Sequence, residues 1–187
     1  SQDMQHIILQ QLDLARICSG DAEFPVKRID LTELCKEVAL SYYDILHEQE
    51  FQVDLDLNDS PIYATTSPDG IRCIMQNLID NSIKHGGSGK FLGIALLQND
   101  QNIRIEISDH GPGIPLTEQK KIFQRNYQIN TSGHSSQKRG GLGLSIVEKV
   151  AERCHLSVQL ESQPGNTVFS IIVRKTSEKR TAKENII

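Results

Sequence analysis

The chain is 187 residues long, 37% hydrophobic and 24% charged, with four cysteines and no tryptophan. This length allows one globular domain with short extensions, and its core must be built from aliphatic side chains. A net charge of −4 and a pI near 5.9 argue against a nucleic-acid-binding surface, and no apolar run approaches the ~20 residues that span a bilayer.

Residues 4–18, MQHIILQQLDLARIC, have helical period, with Ile8, Leu9, Leu12 and Ala15 along one side, and Ser19, Gly20 and Asp21 end that helix. The opening residues do not form a signal peptide. Cys18, Cys35, Cys73 and Cys154 lie far apart and read as reduced thiols of a cytoplasmic protein. After a short segment around Val26–Ile29, Asp30-Leu-Thr-Glu33 is a capping-box start for a helix running to about Glu48. FQVDLDL (51–57) alternates as a half-buried strand does, and Ile62–Thr65 is a candidate for another. Ser67-Pro-Asp69 then opens a helix of about 18 residues that contains NLIDNSIKHGG (77–87), with Pro68 suited to the first turn.

FLGIALL (91–97) and NIRIEIS (102–108) form a hairpin, and the second strand runs into DHGPGIP. Residues 124–141 are polar, without period, and long enough to read as a lid, with Ile122 and Phe123 as its hinge anchors. LGLSIVEKVAERC (142–154) is helical, LSVQLES and TVFSIIV close the fold as a hairpin, and the tail from Thr176 is charged. About three helices and mostly antiparallel strands predict an α+β two-layer sandwich, one sheet face covered by helices.

At 100° per residue, the helix from 71 to 85 divides into three sectors. Ile71, Met75, Leu78 and Ile79 are apolar; Arg72, Gln76 and Asp80 are solvated. Asn77, Asn81, Lys84 and His85 share the third, at the rim of the core. An amide carbonyl suits Mg²⁺, and a lysine one turn on suits phosphate oxygens. Taken alone, the sector reads equally as the exposed half of a surface helix. On the second strand, Asp109 continues the inward row of Ile103, Ile105 and Ile107. A buried carboxylate needs donors, and an amine on a planar ring would supply one, beside glycines that allow close approach. The other reading is an Asp-x-Gly turn bent into solvent. Arg139-Gly-Gly-Leu-Gly-Leu144 leads into a helix, whose amino terminus suits phosphate. Glycine before a helix is common, and the run matches neither a Walker A loop nor a dinucleotide fingerprint.

Together these stretches resemble the ATP-binding catalytic domain of sensor histidine kinases, in the GHKL superfamily. NLIDNSIKH resembles the N box, DHGPGI the G1 box, KIFQRNY the F box and GGLGLSIV the G2 box, in order across about residues 30–175. The resemblance implies a Bergerat fold with ATP between the N-box helix and a mobile lid. It implies domain bounds of 1–20 for the end of a second dimerisation helix and linker, 21–175 for the catalytic domain, and 176–187 for a solvated tail. Asn81 resembles the magnesium-binding asparagine, supported by Asn77; Lys84 and His85 resemble nucleotide-contacting residues that act with Asn81 in catalysis. Asp109 resembles the carboxylate that accepts from the adenine amino group, with Gly111, Gly113 and Ile114 lining the purine pocket. Phe123, Arg139, Gly141, Leu142, Gly143 and Leu144 belong to the lid and the phosphate-binding helix start.

Arg139 stands where the G2 pattern often opens with glycine, and Asn126 and Gln128 replace the aromatic and basic residues of the F box. These departures bear on lid closure and transfer more than on ATP binding. They motivate an alternative, a nucleotide-binding regulatory module or degenerate kinase without transfer activity. Clamp-type ATPases of the superfamily carry a water-activating glutamate four residues before the metal asparagine; here that place holds Asn77, which cannot act as a base. Phosphoryl transfer to a histidine is therefore favoured over hydrolysis. His6, followed by Ile7, Ile8 and Leu9, lacks the acceptor pattern. The expected chain is thus a fragment, monomeric, cut after the acceptor of a homodimeric parent. Its partners would be ATP, the parent's dimerisation domain and a response regulator, with no nucleic acid. A membrane-anchored parent would keep this domain on the cytoplasmic side.

Overall fold

The structure is a computed structural model that describes Arg16 and residues 22–124 and 143–175. The expected helix over 4–18 (Arg16 apart), the lid with Arg139, Gly141 and Leu142, and the tail from 176 lie outside the described residues.

Two sheets form. The smaller pairs β1 (Lys27–Asp30) antiparallel with β3 (Tyr63–Thr66). The larger has the order β2-β4-β5-β7-β6, from β2 (Gln52–Asp56), β4 (Phe91–Gln98), β5 (Asn102–Asp109), β6 (Ser157–Gln163) and β7 (Asn166–Arg174). Among the described strands, only the β2–β4 pair is parallel. The period-2 rows place Leu92, Ile94 and Leu96, Ile103, Ile105 and Ile107, and Phe169, Ile171 and Val173 on one face, each at most 2% exposed.

The helical layer covers that face. Its main members are α1 (Leu31–Ser41), α3 (Pro68–His85) and α5 (Gly143–Arg153), and α2 (Tyr43–Glu48) and α4 (Leu116–Gln119) are short additions. From α3 come Ile71, Ile74, Met75, Leu78 and Ile79, and from α5 come Ile146, Val147 and Val150, all essentially inaccessible. Each such side chain stabilises by about 1.5–3 kcal/mol relative to exposure, which is why the helices lie where their apolar stripes meet the sheet. The architecture is the α+β two-layer sandwich that the patterning predicts.

Three local expectations are corrected. The helix capped by Asp30, whose carboxylate accepts from the Thr32 and Glu33 N–H groups at 2.9 and 3.4 Å, ends at Ser41 rather than continuing unbroken to Glu48. At Tyr42 (φ −100°, ψ 0°) the chain leaves the helix, and the Tyr42 hydroxyl reaches α3, 2.9 Å from Asp80 Oδ1 and 3.2 Å from the Gln76 carbonyl. That contact also corrects the sector expected to be solvated: Asp80 is partly covered, and Arg72 bonds Glu37 of α1 at 2.8 Å. Strand β2 is exposed at all five residues rather than half-buried, because it lies at the sheet edge.

Candidate functional site

Helix α3 positions most of the polar residues singled out above. Ser67 caps it, its Oγ accepting from the Gly70 N–H at 3.2 Å, and Pro68 follows in the first turn. The apolar stripe pressed on the sheet fixes its rotation, which leaves Asn77 and Asn81 half-buried and Lys84 and His85 more exposed along one flank. The Asn77 amide nitrogen donates to the Cys73 carbonyl at 2.8 Å rather than reaching outward. Its Oδ1 is buried without a hydrogen-bond partner, and a Cβ placed at Gly143 would lie 3.3 Å from it. The first described residue of α5 therefore lies beside the amide flank of α3.

Asp109 ends β5 facing inward and is 4% exposed. Gly111 N–H donates to its Oδ1 at 2.9 Å. Two glycine backbones bracket the carboxyl group. A Cβ at Gly86, just beyond α3, would stand 2.5 Å from Asp109 Cγ; one at Gly111 would stand 2.7 Å from Gly86 Cα and 2.9 Å from Asp109 Oδ1. Burial pushes the Asp109 carboxyl above its usual range, opposed by the Gly111 N–H, the Ser82 hydroxyl and the nearby His110 and His85. Ser82 Oγ sits close enough to favour the carboxylate but completes no bond of good geometry. Desolvation pulls His85 below its ordinary value, Lys84 adds to this, and Asp109 opposes it.

His110 stacks on Phe91, ring centroids 3.9 Å apart and 6° from parallel. Gly113 adopts φ +79° and lies against Gln163 and Pro164, where a Cβ would come within 2.5 Å of the Gln163 carbonyl carbon. Ile114 is half-buried against the core, and Phe123 meets Phe169 edge-on at 6.3 Å.

The structure thus sets Asp109 and Gly111 against the carboxyl end of α3, the helix that carries Asn77, Asn81, Lys84 and His85, and sets Asn77 beside Gly143 of α5, while Gly113 and Ile114 lie against the β6–β7 hairpin. A cavity of about 300 Å³ lies elsewhere, by the first half of α3, lined by Phe24, Asp69, Arg72, Cys73 and Gln76 among others. Sequence reasoning missed Gly86 and Ser82. The Gly86-Gly87 pair after the helix, and a serine one turn beyond Leu78 on the apolar stripe, were the available signals. It also missed Gln119 and Ser162, which no local pattern marks.

Among the described residues, no group of three His, Cys, Asp or Glu side chains could hold a metal ion. No described helix is long and apolar enough to cross a membrane.

Comparison with known proteins gives a consistent picture. Residues 66–177 match the family described as "Histidine kinase-, DNA gyrase B-, and HSP90-like ATPase". The sensor histidine kinase YcbM of Bacillus subtilis is 32% identical over 94% of this chain and 57% of its own length. The signal transduction histidine-protein kinase ArlS of Staphylococcus aureus is 31% identical over 91% of this chain and 38% of its own. The chain thus spans about half or less of the curated relatives it matches. Among solved structures, the Acinetobacter baumannii histidine kinase AdeS aligns with a TM-score of 0.70 at 22% identity, over 92% of this chain and 79% of that one. Full-length ShkA in complex with AMPPNP aligns at 0.77 and 21%, over 93% and 36%. ThkA in complex with the response regulator protein TrrA aligns at 0.73 and 20%, over 95% and 50%. At these identities the structural likeness speaks for the fold.

Proposed function

Because the chain belongs to the histidine kinase-, DNA gyrase B- and HSP90-like ATPase family, as the ATP-binding catalytic domain of a sensor histidine kinase, we propose that it binds Mg-ATP along the amide flank of α3 and transfers the γ-phosphoryl group to a histidine outside this chain. The observation that carries the placement is Asp109: an inward carboxyl group bracketed by two glycine backbones, with one backbone N–H bonded to it. Such a group suits the exocyclic amine of adenine, and glycine at 86 and 111 lets two backbones pack directly against it.

Asn81 and the unsatisfied carbonyl oxygen of Asn77 are hard oxygen donors, and they fit a magnesium ion that completes its shell with phosphates and water. When bound, that ion would neutralise charge on the phosphate oxygens. Lys84 adds a point charge on the same flank, and the amino end of α5 at Gly143 and Leu144 offers N–H groups to phosphate. His85, whose charged form is disfavoured by burial, contacts the nucleotide on the same flank. Arg139, Gly141 and Leu142, outside the described residues, belong to the same proposal as phosphate-contacting residues. In the transfer, an imidazole nitrogen forms the new N–P bond, the bond to the β–γ bridging oxygen breaks, and ADP leaves. Asn77 cannot take a proton from water, so the domain holds ATP without rapid hydrolysis.

By the same reading, the domain acts beside a dimerisation domain in a homodimeric parent, on the cytoplasmic side, and a response regulator receives the phosphoryl group. Radiolabelled ATP tests the transfer. The chain alone should remain unlabelled, and an added dimerisation domain should acquire acid-labile phosphohistidine. Self-labelling abolished by His6→Ala would contradict the proposal, as would steady ATP turnover by the chain alone.

A further inference from the structure

We propose that Gln119 is a positioning residue that ties the purine loop to the segment following it, so that filling the purine pocket is felt at residues 116–123. The inference rests on the reading that Asp109–Gly113 receives a purine. Helix α4 has four residues, too few to hold itself in place, and its backbone bonds are all local, from Glu118 and Gln119 N–H to the Pro115 carbonyl and from Lys121 and Ile122 N–H to the Glu118 carbonyl. The Gln119 side chain supplies what the helix lacks. Its Nε2 donates to the Ile114 carbonyl at 2.8 Å and to the Ser162 carbonyl at 3.1 Å, which uses both amide protons.

The receiving groups form one assembly. Ile114 N–H donates to Ser162 Oγ at 2.8 Å, and Ser162 Oγ lies 2.8 Å from Thr167 Oγ1. Gly165 N–H donates to the Gly111 carbonyl at 2.9 Å, and the turn at Gly113 rests on Gln163 and Pro164. The β6–β7 hairpin tip is thus bonded to both ends of the loop that brackets Asp109. Gln119 joins that assembly to α4, and four residues on, Phe123 meets Phe169 while Ile122 is 6% exposed in the core. Without this amide, α4 is joined to the loop by its own chain and by the apolar anchor alone. A shift of the loop on binding would then stop at Pro115.

Gln119→Leu and Gln119→Glu both remove the donor while keeping similar size, and the second places a carboxylate opposite two carbonyl oxygens. Hydrogen–deuterium exchange of the whole chain, with and without a non-hydrolysable Mg-ATP analogue, reads the coupling. In the wild type, the analogue should slow exchange over both 109–114 and 116–123. In the variants, protection of 109–114 should persist, protection of 116–123 should disappear, and affinity should fall about three- to tenfold. Should Gln119→Leu fail to fold, Gln119→Glu and Ser162→Ala carry the same readout, with Ser162→Ala losing part of the protection. Variants whose 116–123 segment responds as in the wild type overturn the proposal. A wild type unprotected at 109–114 overturns the purine reading and this inference together.

Discussion

Asp109 shows how a single side chain can be placed for function at a cost to stability. Its folded pKa is raised, so between the ordinary value of 3.8 and the raised one the folded state holds more protons than the unfolded, and stability falls as pH rises through that window. His85 has the opposite sign: its folded pKa is lowered from 6.5, so stability is lost as pH falls from 6.5 toward the depressed value. ATP recognition needs the Asp109 carboxylate ionised, so affinity should decline on acidification at a higher pH than an ordinary carboxylate would dictate. Calorimetric titration from neutral pH down toward the ordinary value of 3.8 checks this, and Asp109→Asn should remove that component of the dependence. The same substitution should weaken ATP binding by about tenfold or more, while the melting temperature of the nucleotide-free domain holds or rises. Gly86→Ala should also impair binding, because its methyl group occupies the space of the Asp109 carboxyl group; a domain that still melts cooperatively but binds ATP undiminished would contradict it. The inward direction of Asp109 was legible from the row Ile103, Ile105, Ile107. The orientation of Asn77 was not, since a helical asparagine can either turn outward or bond the carbonyl four residues back, and here its amide nitrogen is claimed by Cys73.

At the scale of elements, α3 was the most legible. Its Ser-Pro start follows from capping chemistry and its buried stripe from a 3.6-residue period, while Tyr42, Glu37 and Cys73 engage Asp80, Arg72 and Asn77 on its other faces. The break between α1 and α2 was invisible, because the Tyr42 hydroxyl that bridges to Asp80 and Gln76 spans 38 and 34 residues of sequence. Tyr42→Phe removes the hydroxyl and keeps the ring, and should cost about 1 kcal/mol by chemical denaturation. An unchanged denaturation midpoint would show that the bridge does not hold α3. Leu78→Ala, in the fully buried stripe, should cost about 2–5 kcal/mol. Strand β2 misled for a related reason: alternation of Val53 and Leu55 with Asp54 and Asp56 is the pattern of a half-buried strand, yet edge position leaves both apolar residues exposed by 42% and 46%.

The whole molecule brings together residues that the sequence keeps apart. The antiparallel register sets Asp109 beside Thr167 of β7 and Leu92 of β4, and so delivers the strand end to the carboxyl end of α3. The motifs marked the participants in order, but the hairpin contacts of Gln119 and Ser162 were out of reach, since a four-residue helix and a glycine turn have no periodicity to read. The central claim is that a magnesium–triphosphate group lies along Asn77, Asn81 and Lys84 while Asp109 takes the adenine. Calorimetric titration of the chain with ATP, with and without Mg²⁺, tests it most directly by comparing the wild type with Asn81→Asp and Asp109→Asn. The account predicts magnesium-dependent binding that both substitutions weaken by about tenfold or more; wild-type affinity in both variants would contradict it.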